Sequence, residues 1–104
     1  MTDRELLENA AKAAGIEFSE TGGGSRYAPK PGFIQPYVPW NPLTDDGDAL
    51  RLAVTCGLVV DCSRPSAGEP YKQHTIWLDE TMSNAELTRR AIVRAAAEIG
   101  RNMK

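Results

Sequence analysis

The sequence predicts an α+β domain in which a small, mostly antiparallel sheet lies between helices. Three observations carry this expectation. Amphipathic stripes of helical period, each with start and stop signals, stand at both ends of the chain and once in its middle. A glycine- and proline-rich stretch excludes helix between the first two stripes. Two β-rich runs separated by a turn-forming loop precede the last stripe. The chain has 104 residues, which fits one domain over residues 1–104. At this size about 65% of the unfolded surface is buried on folding, enough for one core without staples.

The first stripe predicts a helix over 3–14. Thr2 and Glu5 stand at capping-box spacing, and Leu6, Leu7, Ala10, Ala11 and Ala14 form one apolar face. Gly15 occupies the position of a left-handed C-cap, from which Ile16 can fold back on the last turn. Gly22–Gly24 and then Pro29, Pro31, Pro36, Pro39 and Pro42 follow. The large apolar side chains between the prolines predict one or two short extended pieces, best placed at 33–38 on a sheet edge.

A second helix is expected over 46–56, capped by Thr44 or Asp45, with Asp45, Asp46 and Asp48 beside its positive dipole end. Leu50, Ala53 and Val54, with Ala49 and Leu52, are its expected packing face, and Gly57 ends it. Residues 58–62 and 71–78 are the expected strands, paired as a hairpin across a 64–69 loop. Ser83 and Glu86 form a second capping box that opens the last helix. Its stripe is Leu87, Ala91, Ile92, Ala95, Ala96 and Ile99, and Gly100 is a signal for its end or fraying. Leu52, Ile76, Leu87, Ile92 and Ile99 are the expected core.

Two of these segments carry a resemblance. The runs MTDRELLENAAKAAG at 1–15 and WNPLTDDGDALRLAV at 40–54 resemble small phage and prophage proteins of the phage alpha-beta-alpha sandwich domain family. The final helix is compatible with that family, so the resemblance covers most of the chain. It implies an alpha-beta-alpha sandwich and a virus-encoded accessory protein in the bacterial host cytoplasm. It carries no catalytic residues with it. Read physically, the second motif is structural. Asn41-Pro42 starts a turn, the acidic cluster opens a helix, and Trp40 and Leu43 pack at its N-terminus.

Composition excludes several function classes. Hydrophobic residues make up 41% and charged residues 25%, a globular balance rather than a disordered one. No run approaches 18 apolar residues and no basic start leads into an apolar segment, so neither a membrane span nor a secretory signal is expected. The net charge of −2 argues against a mainly electrostatic grip on nucleic acid. Basic residues nevertheless gather in the last helix, at Arg89, Arg90, Arg94, Arg101 and Lys104.

The residues that could carry chemistry do not form a reactive pattern. The Asp45, Asp46 and Asp48 cluster lacks the alternating ligands and the terminal glutamate of a calcium loop. Cys56, Cys62 and His74 fall short of four zinc ligands at paired spacings, and a cytosolic setting keeps the thiols reduced. No nucleophile elbow accompanies His74. Gly22–Ser25 lacks the lysine and helix start of a phosphate loop. The expectation is therefore a non-enzymatic protein with no cofactor and no metal.

Two surfaces remain. Tyr27, Phe33 and Tyr37 lie among prolines, where rigid backbone and aromatic area suit a host or phage protein partner. The competing reading packs that loop on its own domain. Arg90, Arg94 and Arg101 share a helix face that could meet phosphate or stack on bases, although Glu86 and Glu98 interrupt it and a solvated face explains it better. A protein-binding accessory module leads, and weak nucleic-acid binding through the last helix is the alternative.

Overall fold

The computed structural model describes residues 2–16, 19–20, 25–27, 38–70 and 81–103. Helix α1 spans Asp3–Ala14, α2 spans Asp46–Cys56 and α3 spans Asn84–Arg101. Strands β1 (Ser19–Glu20), β2 (Ser25–Tyr27) and β3 (Val38–Pro39) form one antiparallel sheet in that order. Strands β4 (Val59–Asp61) and β5 (Ser66–Gly68) form a second, two-stranded antiparallel sheet. This is an α+β fold in the expected order of helix, extended region, helix, strands, helix.

The helices begin and end where local chemistry dictates. Thr2 accepts a hydrogen bond from the Glu5 backbone N–H at 3.2 Å, and Ser83 accepts one from Glu86 N–H at 3.2 Å. Asp45, rather than Thr44, caps α2 by accepting from Asp48 N–H at 2.8 Å. Helices α1 and α2 close identically. Gly15 and Gly57 adopt left-handed φ values of 71° and 65°, a region in which a side chain is penalised. The next residues then reach back: Ile16 N–H bonds the Ala11 carbonyl at 2.8 Å, and Leu58 N–H bonds that of Ala53 at 2.9 Å. Both side chains pack partly buried against the core, as the closing motif favours.

The core is built on α3. Its buried arc comprises Leu87, Ala91, Ile92, Val93, Ala96, Ala97 and Gly100, wider than the single expected stripe because α1, α2 and β5 all pack on this helix. Ile99, expected in the core, is only half-buried. Leu52 and Ile92 lie in the core cluster with Leu6, Leu7 and Trp40, and Leu87 is likewise buried. Ile76 lies outside the described residues. Small side chains at Ala10, Ala11, Ala96 and Ala97 let α1 approach α3 directly, and Arg90 of α3 grips Asp3 of α1 with two hydrogen bonds of 3.0 and 3.3 Å.

Three further sequence expectations need correction. Gly100 does not end α3. It lies buried inside the helix, where a Cβ would come within 2.7 Å of the Asn9 carbonyl carbon of α1. The glycine is required by a helix–helix approach, not by a turn. Second, Leu50 and Val54 do not belong to the packing face of α2. They are 64% and 73% exposed, while Ala49, Leu52 and Ala53 turn inward.

Third, residues 66–68 are strand rather than loop, and β4 pairs with them: Val59 faces Gly68 and Asp61 faces Ser66. The hairpin closes tightly because the Asp61 carboxylate accepts from the Ser63 hydroxyl at 2.7 Å and from Ser63 and Arg64 N–H at 3.0 and 3.2 Å. Serine, alanine and glycine in β5 are all buried, and their small size lets the strand lie close on α3. The expected second strand at 71–78 lies outside the described residues. So does most of the 33–38 strand, whose last residue, Val38, opens β3 beside Tyr27 of β2.

Candidate functional site

The Trp40–Val54 motif builds the floor on which the site rests. Trp40 and Pro42 are buried, and the Asn41 side chain accepts from Leu43 N–H at 3.0 Å, tightening the turn into α2. The Asp48 carboxylate, itself buried, accepts from Asn41 N–H at 2.9 Å and from the Arg51 guanidinium at 2.6 Å. These bonds spend the acidic cluster on the helix start. Among the described residues no group of three or more His, Cys, Asp or Glu side chains could hold a metal ion.

Arg89 then locks α3 to this turn. Its guanidinium donates to the Leu43 carbonyl at 3.0 Å and to Asp46 at 2.6 Å, and its side chain is only 16% exposed. Two helices held at their N-terminal ends, with β4 behind them, leave a groove of about 430 Å³. Ala49 and Leu50 of α2, Val60 of β4 and Ala85 and Ile92 of α3 supply apolar walls, and Cys62 stands at the edge. Val54 lies one turn beyond Leu50 on the same side of α2 and extends the apolar surface. The volume is within the range of small-ligand and side-chain pockets. Among the described residues, the polar lining is the joined Asp46–Arg89 pair with Asn84 and Thr88.

One thiol, Cys62, lines the groove, and the other, Cys56, packs against the core from the end of α2. Cys62 is exposed and Cys56 half-buried, and both are free. Burial pushes the Cys56 thiol above its ordinary pKa, which keeps it protonated and slows its reaction with electrophiles. Asp61, fully exposed beside Cys62, is held below the usual carboxylate range by the Ser63 hydroxyl first and then by the Arg64 and Ser63 backbone N–H groups.

The surfaces expected from sequence are placed unevenly. Tyr27 lies in β2, opposite Val38, whereas Phe33 and Tyr37 lie outside the described residues. Arg90 is engaged with Asp3, and Arg101 stands 3.9 Å from Glu98 on its own helix. Arg94 is exposed on the same face. Sequence reasoning missed the groove altogether. The one available signal was the surplus of apolar residues on α2, which exceeds what a single packing stripe needs. No helix of the described residues is long and apolar enough to cross a membrane. Comparison with family models, curated proteins and solved structures found no match to this chain.

Proposed function

We propose that this chain is a non-enzymatic protein-binding module that takes a short apolar-faced segment of another protein across the α2–β4–α3 groove. The observation that carries the reading is the exposure of Leu50, which lines an apolar groove, and of Val54, one turn further along α2. Full burial of such a side chain contributes about 1.5–3 kcal/mol, so covering both is a substantial driving force. Among the described residues the patch falls well short of the roughly 800 Å² per partner of a standard stable interface, which favours a short segment over a second copy of the chain. Arg89 and Arg90 serve helix packing, so the groove rather than the arginine face carries the proposal. The resemblance of residues 1–15 and 40–54 supports a phage- or prophage-encoded accessory role, with a host or phage protein as partner in the bacterial cytoplasm.

The test uses the exposed thiol at the groove's edge. A benzophenone-maleimide placed on Cys62 of a Cys56→Ala protein is photolysed in bacterial lysate, and the adduct is identified by mass spectrometry. The expected result is one discrete adduct, joined through an apolar segment of another protein. Its yield should fall about tenfold in a Leu50→Glu, Val54→Glu variant with unchanged melting temperature, a loss equivalent to ~1.4 kcal/mol. Equal yield from the variant, adducts only between copies of this chain, or no discrete adduct would overturn the proposal.

A further inference from the structure

We draw no further inference here: the strongest candidate, the apolar groove between α2, β4 and the first turns of α3 with the exposed Cys62 thiol at its edge, belongs to the site already described, and nothing in the structure shows what chemistry covers it.

Discussion

Replacing Gly100 by alanine separates two opposed physical effects by the sign of the result. In an ordinary helix position the change stabilises, because alanine exceeds glycine in helix propensity by about 1 kcal/mol. At Gly100 the new Cβ would stand 2.7 Å from the Asn9 carbonyl carbon and 3.2 Å from the Ala13 nitrogen, where ordinary contact begins at 3.4 Å. Both contacts are backbone of α1, so no flexible side chain can swing away. Relief requires α1 to withdraw, and a radial gap of about 0.5–1 Å forfeits a quarter to a half of each dispersion contact across the seam. The buried alanines Ala10, Ala11, Ala96 and Ala97 depend on that approach. So does the 3.0 Å bond from the Lys12 ammonium to the Met103 carbonyl. Overpacking of this kind costs about 1–3 kcal/mol. The Asn9 carbonyl oxygen stands closer still, which places the steric cost at the upper end, about 2–3 kcal/mol; less a propensity gain of about 1 kcal/mol, the net loss is about 1–2 kcal/mol. In urea denaturation the midpoint should fall by about 0.5–1 M, and the melting temperature should drop by roughly 5–15 °C. A midpoint equal to or above that of the parent would refute the close approach of α1 and α3.

The two leucines of α2 should behave oppositely: Leu52→Ala, at a fully buried position, should cost about 2–5 kcal/mol by denaturant titration. Leu50→Ala, at a side chain 64% exposed, should stay within about 0.5 kcal/mol of the parent. Thiol labelling at pH 8 should modify Cys62 well before Cys56, because Cys56 is half-buried and its pKa is raised; equal rates measured by mass spectrometry would contradict that burial. Asp61 has a lowered folded-state pKa, so its contribution to hairpin order is complete above the unfolded value near 3.8 and is lost as pH falls through the folded value. The protection factors of the Ser63 and Arg64 amides, taken against intrinsic exchange at the same pH, should therefore fall on that acid side in the parent, and should be low at neutral pH already in Asp61→Ala.

The sequence by itself determined where all three helices begin and where α1 and α2 end, with only the choice between Thr44 and Asp45 as the α2 cap left open. Thr2 with Glu5, Asp45 with Asp48, and Ser83 with Glu86 satisfy free amides three residues away, while Gly15 and Gly57 close helices within one turn. Such bonds join near neighbours, so residue type and spacing suffice to foresee them. The groove was legible only as a surplus, since α2 carries Ala49, Leu50, Leu52, Ala53 and Val54 and periodicity cannot say which arc turns inward. Tertiary structure decided that, by seating Ala49, Leu52 and Ala53 in the core cluster, leaving Leu50 on the gap held open between α2 and α3 and Val54 exposed one turn beyond it. It likewise decided the pairing of β4 with Ser66–Gly68, where small residues that read locally as a loop are the ones that fit beneath a helix. Gly100 shows the reason most plainly. Near a helix end a glycine signals termination to any local reading, but its role here is set by the carbonyl of Asn9 on another helix, and no spacing along the chain encodes a contact made through space.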